Sequence, residues 1–380
     1  MKAIFKYVSC LALIGLCTQV MAHTIEERLS ELEQQMEEVG TTNPEGTFGA
    51  GFTNAGTEGQ NGWYLMVEPL YWHAKVGATE YAYTDRDRQS DLGSILLPPL
   101  NGRVKDQGFG WEWGLRLGLG RYFSHDDWDV KLTYTWYQAD DSTSVFKREP
   151  SSVISLRIAD IAPFSHAKSH YDLNYNNVNV ELGREYFMSS KVSVRPQIGV
   201  KSSWIYEKQQ VHYTLPQIPD FDGSGHIVKV KDKDILWGIG PRMGVMVNGY
   251  IGDGFSLYAS LDGALLYSYS RASYVMHADA NATTIGDDFR IHLRSKSHLF
   301  MPNVQAMLGI IWETYINEKR QHITLGAGYE AEYFWRANQA LMVDDTFAPN
   351  FVTPAKRFAV ERASEDVMFY GLTLKARLDF

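Results

Sequence analysis

From Trp63 onward, apolar and polar residues alternate with a period of two in one segment after another. The last segment is the clearest. Met368, Tyr370, Leu372, Leu374, Ala376, Leu378 and Phe380 fall on one side, and Gly371, Thr373, Lys375, Arg377 and Asp379 on the other. A period of two is a β-strand with one oily and one wet face. An oily face kept complete to a terminal aromatic is what the closing strand of an outer-membrane β-barrel requires.

Earlier segments repeat the pattern. Phe109–Phe123 sets Trp111, Trp113, Leu115, Leu117 and Leu119 against Glu112, Gly114, Arg116, Gly118 and Gly120. Trp128–Trp136, Val178–Tyr186, Val192–Trp204, Ile235–Val247, Phe255–Tyr269, Phe300–Trp312 and Ile323–Trp335 do the same. Trp63–Val76 carries aromatics on both faces, so its register stays open. Leu173 and Tyr175 fall on the opposite parity from Val178 and Val180, which predicts a bulge near Asn176. Short links at Ser124–Asp127, Met188–Ser190, Ile251–Gly254 and Asn317–Lys319 alternate with long ones near 77–108, 141–167, 215–231, 278–297 and 340–365. The expectation is an all-β, transmembrane, antiparallel up-and-down barrel of ten strands over residues 62–380. Short turns would face the periplasm and long loops the exterior. A further hairpin inside 77–108 would make twelve strands.

Aromatic residues give a second measure. Tyr122, Phe123, Trp128, Phe187, Tyr250, Phe255, Tyr315 and Phe380 sit beside the short turns or at the terminus. Trp111, Trp136, Trp204, Tyr267 and Tyr370 lie about ten residues away along the strands, the length a tilted strand needs to cross the hydrocarbon core. These sets predict two interfacial girdles.

The residues before Trp63 are different. Residues 1–22 read as a signal peptide, with Lys2 and Lys6, an apolar run from Val8 to Cys17, and Val20-Met21-Ala22 as the cleavage site. Cleavage there removes both cysteines and moves the formal charge from −9 to −11, which argues against a nucleic-acid surface. Ile25, Leu29, Leu32, Met36 and Val39 form a heptad seam over residues 23–40, either a short periplasmic coiled coil that joins subunits or a loose helix. Residues 41–61 read as a Gly/Thr/Asn linker.

The wet faces carry Glu112, Arg116, Asp129, Lys131, Glu181, Arg195, Lys201, Arg242, Asp262, Glu313, Glu330, Glu332, Lys375 and Arg377. In a water-filled lumen these would line a pore and set its ion preference. In a narrow ten-stranded barrel they can instead pair and fill the interior. Both readings stand at this point. Asp140-Asp141, Asp287-Asp288 and Asp344-Asp345, with His277 and His298, fall near loop-side strand ends. Ten-stranded outer-membrane proteases activate water with such groups, but paired acids in loops are more often solvated charge. No nucleophile elbow, phosphate loop or HExxH motif occurs, so no enzyme, metal or cofactor is expected.

Several stretches also have a family likeness. Pro69-Leu-Tyr-Trp-His-Ala74, Trp113-Gly-Leu-Arg-Leu-Gly-Leu-Gly120, His125-Asp-Asp-Trp-Asp129 and Asn176-Asn-Val-Asn-Val-Glu-Leu-Gly-Arg-Glu185 resemble the Legionella major outer membrane protein family. Trp312-Glu-Thr314, Gly328-Tyr-Glu330 and Asn338-Gln339 continue the resemblance, which covers most of residues 63–380. Related proteins occur in chlamydia-like bacteria. The resemblance implies a porin-like barrel with no catalytic residues to carry over. Such proteins are often thought to be disulfide-linked, and a mature chain without cysteine departs from that. The function expected is passive diffusion of small hydrophilic solutes and ions across the bacterial outer membrane. The alternatives are a structural or adhesive barrel with a closed lumen and, further off, a protease. Expected partners are outer-membrane lipid and lipopolysaccharide, the barrel-assembly machinery through the C-terminal strand and Phe380, and a second copy through residues 23–40.

Overall fold

A computed structural model describes residues 62–85, 102–123, 128–148, 151–158, 163–189, 191–215, 227–278, 289–316, 321–346 and 357–380. The predicted signal peptide, heptad segment and linker lie outside these residues. So do Asp287-Asp288 and the turns at Ser124–Asp127 and Asn317–Lys319.

In chain order the strands are β1 (Trp63–Val76), β2 (Ala82–Asp85), β3 (Gly102–Lys105), β4 (Trp111–Tyr122), β5 (Trp128–Phe146), β6 (Ser152–Ser155), β7 (Pro163–Phe164) and β8 (His166–Arg184). They continue with β9 (Tyr186–Ser189), β10 (Val192–Thr214), β11 (Ile227–Gly252), β12 (Phe255–Ala278), β13 (Phe289–Ile316), β14 (Gln321–Thr346) and β15 (Arg357–Asp379). Antiparallel pairing runs β1-β4-β5-β8-β10-β11-β12-β13-β14-β15, and β15 pairs back with β1. The ring is therefore closed by ten strands, as its alternation predicts. Closure removes every unpaired backbone edge, which lipid would not tolerate. Reciprocal bonds between Trp63 and Phe380 fasten the seam. At the β11–β12 turn, Gly252, Asp253 and Gly254 all have positive φ (131°, 53° and 80°), conformations that glycine adopts freely.

The hairpin allowed for inside 77–108 exists as β2–β3, but it does not enter the ring. It joins β6 and β7 in a separate four-stranded sheet. Residues Tyr81, Ala82, Val153, Ile158 and Phe164 of this insert form one apolar cluster with Val211, Tyr213, Val228, Val230, Tyr274 and Met276 from β10–β12. Those strands reach this far because they are long. β10 to β15 have 23 to 28 residues, about twice what a membrane crossing needs. Ten residues of β10 lie beyond Trp204, which at a tilt near 40° is roughly 25 Å of wall above the outer girdle. Much of what looked like long loops is thus continuing strand, held together because its inner face has apolar side chains to bury.

Two further expectations change, and the open register of β1 is resolved. No bulge occurs at Asn176: β8 pairs in unbroken register with both β5 and β10 through that position. Leu173 and Tyr175 lie inside the barrel, on the same parity as Asn177 and Asn179. Parity is constant and only the polarity of the inner face changes. For β1, the inner face is Tyr64, Met66, Glu68, Leu70, Trp72, Ala74 and Val76. Of the predicted inner girdle, Phe123, Phe255 and Phe380 are exposed on the lipid face, and Trp128 shares their outward parity. Tyr122, Phe187, Tyr250 and Tyr315 instead take lumen-side parity. There Tyr122 receives a bond from Arg377, Phe187 stacks on Tyr250 at 6.1 Å, and Tyr315 lies against His322. Polar partners inside the rim draw the phenols inward. Trp63 and Tyr186, missed as girdle residues, are exposed there.

Candidate functional site: the interior of the barrel

The inner wall is built in layers. At the periplasmic end, the Arg195 guanidinium donates from Nε and Nη2 to the two oxygens of Asp129, at 2.9 and 2.7 Å. Tyr64 donates to the same carboxylate at 2.9 Å. Arg377 lies over the Tyr64 ring, 3.9 Å from its centroid, and donates to Asp379, which His322 also meets at 3.1 Å. Tyr64 can cross the interior because its register partner on β4 is Gly120. A Cβ at that glycine would stand 2.1 Å from the phenol ring.

The next layer is a lattice of ion pairs. Arg242 joins Glu181 (2.9 Å) to Asp262 (3.1 Å), and Lys131 meets Glu181 at 2.8 Å. Arg116 donates to Glu68 at 2.9 Å, to Glu330 at 2.7 and 3.1 Å, and to Thr135 at 3.0 Å. Glu330 also accepts from Thr373 and Gln305, and Lys201 is bonded to Glu332 and Asn303. Both Lys201 and Glu330 are fully buried. Among these groups remains room for about 60 Å³ of water, bounded by Glu68, Lys131, Glu181, Asp262 and Lys375 among others. That is enough for a few waters.

Above the lattice the interior turns aromatic. Trp72, Tyr137, Tyr175, Phe334 and Phe369 are each no more than 1% exposed. Tyr175 stacks on Phe369 at 4.6 Å and meets Phe334 edge-on at 5.7 Å, and its hydroxyl donates to Glu332 at 3.0 Å. β8 and β14 stand five places apart in the ten-stranded ring, on opposite walls. Side chains therefore touch across the full width of the lumen. Arg116 lies 5.5 Å from the Trp72 ring and Lys201 5.1 Å from the Phe334 ring, so the layers are joined by cation–π contacts.

Over the aromatic layer sits a small acidic chamber with Glu207, Asp232 and Asp234, closed by the insert. Arg157, from the segment after β6, reaches Asp232 at 3.6 Å and donates to the carbonyls of Glu80 and Ala78. Gln209 donates to the Thr79 carbonyl at 2.8 Å, Tyr274 to that of Arg157 at 2.6 Å, and Asn338 to that of Gly77 at 2.7 Å. These bonds hold the insert inside the tall wall.

Of the fourteen charged positions predicted to face inward, Arg116, Asp129, Glu181, Arg195, Lys201, Arg242, Asp262, Glu330 and Glu332 are buried there. Lys131, Lys375 and Arg377 are half-buried in the same lattice, Lys375 lying 5.7 Å from the Tyr258 ring. Glu112 and Glu313 are half-buried at its upper and lower margins. Glu68, Tyr64 and the five aromatics were missed, and Asn303 and Gln305 lie on the expected wet face without having been singled out. The sequence signal for the aromatics was an apolar inner parity in the outer halves of the strands. Of the candidate protease groups, Asp141 and His298 stand on opposite faces of the wall. Asp141 accepts bonds from Gln107 and Gly108, whereas His298 is outside the barrel, 4.8 Å from the Tyr269 ring. Among the described residues, no group of three or more His, Cys, Asp or Glu is placed to hold a metal ion.

Residues 57–380 match the family model described as Legionella pneumophila major outer membrane protein precursor. No curated protein matches. Among solved structures, the chain is similar to the outer membrane protease OmpT from Escherichia coli, at 8% identity over 84% of this chain and 96% of that one (TM-score 0.40). It is also similar to the P. putida toluene transporter TodX, at 8% identity over 88% and 92% (TM-score 0.28). A Pseudomonas aeruginosa FadL homologue matches at 8% identity over 84% and 90% (TM-score 0.23). Matched over most of its length, this bacterial outer-membrane barrel belongs to the Legionella major outer membrane protein family.

Proposed function

We propose that the protein is a structural outer-membrane barrel whose lumen is closed to free diffusion and whose tall outer wall, filled by the insert, forms a rigid surface feature. The observation that carries this reading is the bridge across the lumen by Tyr175, which touches Phe334 and Glu332 on the opposite wall. A hydrated diffusion pore needs a continuous polar path, and a dry aromatic layer interrupts one. The buried ion pairs then serve as fixed interior packing rather than as an ion filter. Conductance of the refolded full-length protein across a planar bilayer tests this. A silent bilayer supports the closed barrel, and regular ohmic steps in the unmodified protein refute it.

The porin-like reading keeps one supporting observation. The chamber bordered by Glu68, Lys131, Glu181, Asp262 and Lys375 is polar and has room for water. Passage of solutes would require the aromatic layer and the insert above it to move aside. Steps that arise only after voltage or pH change, and disappear when the insert is cross-linked to the wall, would favour this second reading.

A further inference from the structure

Strand register places an acid-free basic field on the outside of β10–β13, directly above the outer aromatic girdle. The girdle row there is Trp204, Trp237, Tyr269 and His298, each the register partner of the next. The next outward row is Tyr206, Ile235, Arg271 and Lys296. Above it stand Lys208, Lys233, Ser273 and Arg294, and then Gln210, Lys231, Val275 and His292. The top row is His212, Lys229, His277 and Arg290.

These four rows contain eight Lys or Arg and no Asp or Glu, in a chain whose formal charge is −9. The inward positions of the same strands hold the acids Glu207, Asp232 and Asp234. On the other flank of the ring, the outward positions above the girdle include Asp140, and Asp172 on β8 marks the edge of the field by pairing with Lys208 at 2.9 Å.

Two cross-strand pairs oppose like charges directly, Lys208 with Lys233 and Arg271 with Lys296. Such pairs destabilise a sheet unless an anion offsets them; Asp172 meets Lys208 from the β8 side, and no acid of these rows meets Lys233, Arg271 or Lys296. Lys233 and Arg271 also lean on aromatic rings, 5.0 Å from Tyr206 and 5.4 Å from Tyr269, which holds their charges close to the girdle. Rows are two residues apart, about 5 Å in height at a tilt near 40°. A headgroup layer is roughly 5–8 Å deep on each side of the hydrocarbon. Arg271 and Lys296, then Lys208 and Lys233, therefore stand at headgroup height.

We propose that this face binds the phosphate groups of the outer leaflet's glycolipid. Its acyl chains lie against Trp204, Trp237, Tyr267 and Phe300 below, and its phosphates sit between the opposed cations above. One continuous outward face thus supplies both halves of an amphiphile's site. A soluble polyanion would have no use for the aromatic row.

The test uses the full-length chain refolded in detergent micelles. Its probes are bis-phosphorylated lipid A, dephosphorylated lipid A and a heparin-derived oligosaccharide, with occupancy read by native mass spectrometry. The variant combines Lys208→Gln, Lys233→Gln, Arg271→Gln and Lys296→Gln, and heat-modifiable mobility reports whether the barrel is folded. If that variant does not fold, Lys229→Gln with Lys231→Gln, Arg290→Gln and Arg294→Gln takes its place. The expected result is at least tenfold weaker binding of bis-phosphorylated lipid A. Dephosphorylated lipid A should bind the unmodified protein and the variant equally, and at least tenfold more weakly than the phosphorylated form binds the unmodified protein. Equal affinity of variant and unmodified protein for the phosphorylated lipid overturns the proposal, as does indifference to the phosphates. So does a variant effect confined to the heparin oligosaccharide, which would make the face a receptor for a soluble polyanion.

Discussion

Glu330→Ala separates a packed lumen from a hydrated one by stability alone. Glu330 is fully buried and accepts two bonds from Arg116, one from Thr373 and one from Gln305. Removing it leaves the buried Arg116 hydrogen-bonded only to Glu68 and Thr135, and takes from Thr373 and Gln305 the carboxylate they donate to. Breaking a buried ion pair on one side costs about 3–5 kcal/mol, because the remaining charge stays desolvated. That is a shift of roughly a hundred- to several-thousand-fold in the unfolding equilibrium. If the lumen were a water-filled channel, water would take over the lost bonds and the cost would fall to about 1 kcal/mol or less. The assay is denaturant unfolding of the refolded barrel followed by tryptophan fluorescence. Lys208→Gln is the internal reference, since its pair with Asp172 is on the outer surface and partly exposed. A Glu330→Ala cost no larger than that of Lys208→Gln would falsify the packed interior.

Three other perturbations probe the layers separately. Replacing Tyr175, Phe334 and Phe369 together by alanine removes the bridge across the lumen, and, once Arg157→Gln is added to release the insert above it, discrete conductance steps are expected in planar bilayers where the unmodified protein is silent. Arg157→Gln removes the charged bonds that tie the insert to Asp232 and to the carbonyls of Ala78 and Glu80. It should destabilise the docked insert by about 2–3 kcal/mol, read as faster hydrogen exchange over residues 78–85 and 151–158 with the barrel strands unchanged. Gly120→Ala drives a methyl into the Tyr64 ring and should cost about 1–3 kcal/mol as an overpacking change. An unaltered unfolding midpoint would show that Tyr64 does not depend on the glycine.

The membrane-embedded half of the fold was legible because lipid and interior impose opposite demands on alternate residues. Val178, Val180 and Leu182 face out while Asn177, Asn179 and Glu181 face in, so period and parity could both be read. The charged lattice was largely legible for the same reason, since its polar inner positions stood out against apolar outer neighbours, Glu68 on the two-sided aromatic β1 being the exception. Which charges pair was not, because Arg116 meets Glu330 across 214 positions of sequence. The insert was half legible. Its hairpin has strand-like residues, but nothing local distinguishes a strand that joins the ring from one that folds into the mouth. Tyr122 and Tyr250 deceived because a tyrosine near a turn suits either face, and its hydroxyl follows whichever side offers a partner.

The error at Asn176 locates the outer boundary of the membrane. On β8 the outward face passes from Val178 to Asn176, Asn174 and Asp172, while the inward face passes from Asn177 to Tyr175, Leu173 and Tyr171. On β10 the outward face passes from Trp204 through Tyr206 to Lys208, and the inward face from Ser203 to Ile205. Tyr175 is the register partner of Ile205, and Ile205 of Leu236 on β11. The exchanges therefore align from strand to strand. A reversal of polarity at constant parity imitates a bulge in a single sequence, but a bulge would break the ladder and this does not. Its cause is the solvent. Below the line the wall stands in lipid and its interior is polar. Above it the wall stands in water, and the interior carries the aromatic layer and the apolar cluster that hold the strands and the insert together, with the chamber of Glu207, Asp232 and Asp234 between them. The aromatic layer lies where the two regimes meet, which is why side chains meet across the interior at that height.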